Sequence, residues 1–302
     1  MDSLKLSEPN QNISKNSLNN IKSKYILKKI FENLMKKKSL EFFKYNKKIQ
    51  KKLEITKKDY KECMESFTSI IIEINLVQEI IERHTLFINI SKSEEKQYFH
   101  IYFNDNKEEV GREFLIEGDD VQKITIKIDY QIESFYRLFY NCQCIESINF
   151  KIFFRTNITD MSYMFYGCSS LNQINFTYFN TDNVNNMRSM FNLCSSLREI
   201  NLDKFNTVNV KDMSFMFKDC LSLKNIDISN FDLNKVDDIS YMFCRCLALK
   251  KLVLPILNGN IYYRSSNINM HAMFGQCQSS LKNKAKSSYN YLKDEAFDKY
   301  FE

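Results

Sequence analysis

The side chains best suited to chemistry in this chain are its thiols. Five of the nine cysteines, Cys142, Cys168, Cys194, Cys220 and Cys246, recur at a constant interval of 26 residues. Thiols can bind soft metals, attack electrophiles or pair as disulfides. The pattern argues against these uses. Structural zinc sites use wider pairs with further Cys or His partners, whereas Cys142/Cys144 and Cys244/Cys246 are Cys-x-Cys pairs with no such partner suitably placed. An odd number of cysteines also argues against a closed disulfide framework. One thiol per repeat, always at the same place in an apolar pattern, reads as a small buried hydrophobe. His84, His100 and His271 are scattered. There is no Gly-x-Gly-x-x-Gly, no phosphate-loop lysine motif and no Gly-x-Ser-x-Gly. With only five glycines, phosphate-cradling loops are hard to build. No catalytic, cofactor-binding or metal-ligating set emerges, so the expectation is a non-enzymatic chain without a cofactor.

The cysteines belong to a longer repeated text. Met161, Met187, Met213 and Ile239 open four units, each 26 residues after the last. The shared pattern is Met-x-x-Met-Phe-x-x-Cys-x-Ser-Leu-x-x-Ile-x-Leu/Phe-x-x-Phe-Asn/Asp. In the unit at Met161, the residues Met161, Met164, Phe165 and Cys168 sit at i, i+3, i+4 and i+7, which predicts a short helix. Asp160, Asn186, Asp212 and Asp238 precede these runs, as N-cap residues would. Leu171, Ile174 and Phe176 alternate, which predicts a strand. A unit of this size cannot bury its apolar face alone, so the period predicts a stacked array.

The remaining segments set the predicted organisation. Residues 1–20 are polar and aperiodic and read as a disordered tail. Residues 21–62 form a basic helical segment. The first 62 residues hold 17 Lys/Arg against 7 Asp/Glu, a net of +10, while the whole chain carries +6. Residues 63–132 alternate as short strands, a small β unit placed to cap the array. The repeats span 133–281, and 282–302 read as a C-terminal capping helix. No signal peptide or membrane span is visible, so the expected location is intracellular and cytoplasmic, with reduced cysteines.

Runs such as "TDMSYMFYGCSSLNQINF" and "KDMSFMFKDCLSLKNIDISNF" resemble the BspA-like class of leucine-rich repeats. That resemblance implies an α/β repeat solenoid, with a parallel sheet on its concave side. It also implies a protein without enzymatic activity of its own, many members being surface or adhesion proteins. The stretch "IKSKYILKKIFENLMKKKSLEFFKYNKKIQKKL" resembles an F-box, through Ile26, Leu27, Ile30, Phe31, Leu34 and Leu40. Lys24-Tyr25 stand where the usual Leu-Pro would be, and a plain helical cap is the alternative reading. An F-box would dock on an acidic Skp-type adaptor through Ile30, Phe31 and Leu34.

These readings predict a scaffold that holds a protein ligand on the concave face. Strand residues between the apolar positions should point outward: Gln173, Asn175, Glu199, Asn201, Asp203, Asn225, Asp227 and Ser229. Glu199, Asp203 and Asp227 place acid in the middle, with Lys151 and Lys251 at the ends. Such a face should prefer a basic partner and disfavour nucleic acid. The alternative function is substrate receptor of a ubiquitin ligase. A third is a secreted adhesin, for which the sequons at Asn157 and Asn175 would matter.

Overall fold

A computed structural model of the protein describes residues 69–77, 84–153, 155–256 and 267–298. The chain divides between Phe67 and Thr68, and all of these residues lie on the C-terminal side of that boundary. The tail 1–20, the basic segment 21–62 and its anchors Ile30, Phe31 and Leu34 lie outside the described residues.

The first described strand, β1 (Ile70–Leu76), buries Ile70, Ile72, Ile74 and Leu76 and turns Glu73 and Asn75 the other way. That is the period-two pattern of a strand with one face on a core. Next come the two-residue β2 (Thr85–Leu86), β3 (Phe99–Phe103), the two-residue β4 (Phe114–Leu115) and β5 (Lys123–Ile128). β6 (Ile145–Ile152) and β7 (Gln173–Asn175) come from the first two repeats. The main sheet has the order β3-β5-β1-β6-β7, antiparallel except for the β6–β7 pair. Further on, β8 (Asn225–Asp227) and β9 (Lys251–Val253) form a separate parallel pair.

The expected α/β leucine-rich-repeat solenoid, with a continuous concave parallel sheet, is overturned by this architecture. The described residues form small mixed sheets joined to turns. They hold one α-helix, α1 (Ser279–Ser288), and two 3-10 segments, none in the Met-Phe runs. The physical reason lies in the backbone of those runs. Tyr163 and Gly167 have φ of 57° and 72°, and the next units repeat this at Ser189 and Leu193, Phe215 and Asp219, Tyr241 and Arg245. A right-handed helix cannot pass through two left-handed residues four apart. The hydrogen bonds agree. Met161, Tyr163, Phe165 and Gly167 donate their N–H groups to the carbonyls of Asn186, Arg188, Met190 and Asn192 at 2.8–3.0 Å. Met164, Tyr166 and Cys168 donate three residues back within their own unit. Helical i→i−4 bonds are replaced by alternating turn and cross-unit bonds.

Each unit therefore lies against the next as a rung of turns. Parallel bridges link Ser134, Asp160, Asn186, Asp212, Asp238 and Asn269 in succession. The residues expected to be N-caps instead open Asx turns: the Asp160 Oδ1 accepts the Ser162 N–H at 2.8 Å, and Asp212 does the same for Ser214 at 2.8 Å. Thr181 and Thr207 are buried, and their hydroxyls clasp the peptide groups of Asn206 and Asp232 in the following units. Inside the stack, Phe139, Phe165, Phe191, Phe217, Phe243, Phe274 and Phe297 form a column, with centroids 5.3–5.9 Å apart.

Both ends of the stack are covered by chain that lacks the repeat text. At the first rung, Asn89 donates to the Leu138 carbonyl at 2.7 Å, and the Cys144 thiol donates to the Leu86 carbonyl. At the last, Ala272 and Phe274 donate to the carbonyls of Glu295 and Ala296 in a 3-10 segment, Asp294–Phe297. Phe297 completes the aromatic column there.

Two stability predictions follow from the rungs. Phe191 is fully buried between Phe165 and Phe217, so Phe191→Ala should cost roughly 3–5 kcal/mol in a denaturant melt. A change within about 0.5 kcal/mol would contradict its place in the column. Leu193 is partly exposed with φ of 62°. Relief of left-handed strain, less the extra entropy of glycine, should make Leu193→Gly stabilising by about 0.5–1 kcal/mol. In a helix the same change would destabilise by about 1 kcal/mol, so the sign of the measured change separates the two backbones.

Candidate functional site

Most of the described thiols, and the His100 imidazole, are engaged within the structure. The eight described cysteines are free and buried. Five of them donate to the carbonyl of a phenylalanine in the preceding unit: Cys168 to Phe139, Cys194 to Phe165, Cys220 to Phe191, Cys246 to Phe217 and Cys277 to Phe243, all at 3.0–3.1 Å. Burial pushes the thiols of Cys168, Cys194, Cys220 and Cys246 well above their ordinary pKa. They are held as neutral S–H donors, the opposite of an activated thiolate. Among the described residues no group of three or more His, Cys, Asp or Glu is placed to hold a metal ion, and no helix is long and apolar enough to cross a membrane.

His100 on β3 is the most strongly engaged histidine. Its Nδ1 lies 3.1 Å from Glu109 Oε1 and its Nε2 lies 3.1 Å from Asp129 Oδ2. A ring that meets a carboxylate on both sides is best satisfied as the imidazolium, which donates from both nitrogens. Burial works to lower its pKa, but hydrogen bonds and charge from Asp129 and Glu109 outweigh it, and the net shift is upward.

A groove of about 1040 Å³ lies on the strand face of the repeats. Gln173, Glu199, Asn201, Asn225 and Asp227 line it. These come from three successive rungs. Asn175, Asp203 and Ser229 are exposed but lie outside its lining. The half-buried Ile174 and Ile200 also reach the groove, so its floor is partly apolar. No ladder pairs residues 198–202 with β7 or β8. The sheet is interrupted where the groove lies.

Several polar groups in this region are already engaged. Asn175 Oδ1 accepts from the N–H and hydroxyl of Thr177, Asn201 Oδ1 from the Asp203 N–H, and Asp227 Oδ1 from the Ser229 N–H at 2.9 Å. The Ser229 contacts, with Lys251 nearby, hold the Asp227 carboxyl below the usual carboxylate range. Lys151, expected to mark one end of the face, is ion-paired with Glu73 at 3.0 Å. Of the two sequons, Asn175 is exposed, while the Asn157 amide donates to the carbonyls of Tyr130 and Ile132.

The groove also holds residues that strand alternation does not find. Arg198, Lys224 and Lys251 line it, so its acid is balanced by base. Lys224 stands just before β8, and Arg198 takes the same place in a rung without a strand; both fall outside the alternating positions. The step of 26 that relates 198, 224 and 250 is the signal that could have found them.

Comparison with known proteins gives one match. Residues 133–255 match a family model described as a Mycoplasma protein of unknown function, DUF285. This is less than half of the chain, and it coincides with the repeated text. No curated protein and no solved structure matches the chain.

The geometry of His100 gives a pH prediction. Its folded-state pKa is raised above the unfolded value, so its contribution is complete below about pH 6.5 and is lost as pH rises through the folded pKa. The stability deficit of His100→Gln should therefore be larger in melts at about pH 5.5 than at about pH 8.5. Equal deficits at both would show that the two carboxylates do not favour the charged ring.

Proposed function

We propose that the chain is a non-enzymatic binding module, and that it holds an extended segment of a protein ligand in the groove across its repeats. The observation that carries this reading is the groove itself, about 1040 Å³ and lined by exposed side chains from four successive rungs. Its lining is polar around the apolar patches of Ile174 and Ile200. Small-molecule pockets are mainly apolar and enclose most of their ligand. An open trough of alternating polar and apolar groups suits an extended chain, whose successive side chains point to opposite sides.

The reading also fits what the rest of the chain does with its reactive groups. The thiols are spent as buried donors to carbonyls, and His100 is engaged by two carboxylates.

Gln173 and Asn225 are exposed on β7 and β8 and line the groove. The double variant Gln173→Trp/Asn225→Trp should fill it without disturbing the core. Affinity purification of the full chain from its native cell, followed by quantitative binding of the recovered protein, tests the reading. The plugged variant should bind about tenfold or more weakly, with an unchanged melting temperature. Unchanged affinity would place the ligand elsewhere on the molecule.

A further inference from the structure

Three cations stand in one column on adjacent rungs, and two of them, Arg198 and Lys224, line the groove. Lys224 donates its N–H to the Arg198 carbonyl at 3.0 Å, and Lys250 donates to the Lys224 carbonyl at 2.9 Å. The three residues thus occupy the same place on adjacent rungs, and all three are exposed. None of their side chains forms an ion pair among the described residues. Other cations of the stack do: Lys218 and Arg245 both close on Asp219, and Arg188 reaches Asp212 at 3.8 Å. Like charges set side by side on neighbouring rungs repel one another. The column is thus unpaired among the described residues, and it runs beside a groove.

We propose that the occupant of the groove is an acidic segment of another protein, whose carboxylates lie over Arg198, Lys224 and Lys250 while alternate side chains rest on Ile174 and Ile200. This rests on the peptide-binding reading above and names the chemistry of the ligand. It reverses the expectation of a basic partner, because that expectation counted Glu199, Asp203 and Asp227 with Lys151 and Lys251 at the ends, but not Arg198, Lys224 and Lys250. The same two carboxylates separate the ligand from a nucleic acid. A continuous phosphate backbone would have to pass Glu199 and Asp227 in the groove as well as the cationic column. A peptide can place its charges over the column and present neutral groups to the floor. Long Arg and Lys stems adjust to the peptide's side-chain repeat of about 6.6–6.8 Å.

A random-peptide display selection against the full chain tests this. The selected peptides should be enriched in Asp and Glu at alternate positions. Binding of one such peptide, followed by fluorescence anisotropy, should weaken about tenfold in Arg198→Gln/Lys224→Gln/Lys250→Gln. It should also weaken with added salt. Melting temperature should not fall in the triple variant, since unpaired like charges are removed. Peptides of neutral or basic composition that the groove-filling tryptophans displace would overturn the acidic ligand and leave the groove reading intact. Peptides that the tryptophans do not displace would overturn both. A single-stranded thymidine oligonucleotide that binds more tightly than the peptide, and loses binding in the same triple variant, would overturn the peptide in favour of nucleic acid.

Discussion

The array depends on where every second N–H of its turn runs goes. In each unit the donors at Met161, Tyr163, Phe165 and Gly167, and their counterparts 26 residues on, leave their own rung and meet the next. A helix would have kept those donors to itself, and adjacent units would then have met only through side chains. Here the backbone couples neighbours directly. Because the donors fix the offset at 25 residues, they also fix the register of every side chain. The Phe165, Phe191 and Phe217 rings stack nearly parallel, at 11° and 5°, since identical rungs laid in register superpose identical residues.

That arrangement explains why cysteine is used in the core. The Phe165 carbonyl accepts the Cys168 N–H at 3.2 Å and also lies 3.1 Å from the Cys194 sulfur. A carbonyl has two lone pairs, and the thiol of the next unit serves the second. Alanine would fill part of the space but could not donate. Serine could donate, but its hydroxyl is a stronger hydrogen-bonding group to carry into a dry core. Threonine has the complementary role where a unit turns. The Thr207 hydroxyl takes the Asp232 N–H at 2.7 Å and gives to the Asp232 carbonyl at 3.1 Å, so one buried side chain satisfies both backbone polar groups of one residue.

The period and the buried positions were legible in the sequence, whereas Asp160, Asn186, Asp212 and Asp238 read as helix N-caps and instead open Asx turns. The type of backbone was not. Met161, Met164, Phe165 and Cys168 point inward in a helix, and they point inward here. Apolar spacing reports direction rather than dihedral angle. Glycine would have flagged the left-handed positions, but only Gly167 does so among the repeats; elsewhere Tyr163, Leu193, Phe215, Asp219 and Arg245 hold them. These residues sit in left-handed turns because cross-unit bonds require it, and that requirement exists only in the stacked array. On the strand face, Glu199, Asn201 and Asp227 were legible from alternation. Arg198 and Lys224 were not, because the groove extends past the ends of the short strands that alternation describes.

The two ends of the array differ in sequence from everything between them. Asn89 and the Leu86 carbonyl meet the first rung, and Glu295 and Ala296 meet the last. Each interior rung presents the same donors to the same acceptors. An interior unit can therefore be deleted or duplicated as a block of 26 residues, and each new junction is chemically the old one. The length of the trough is thus separable from the register of the units, while stability changes with their number. Unequal recombination within the gene would lengthen or shorten the groove, with the caps and the pattern of each remaining unit preserved.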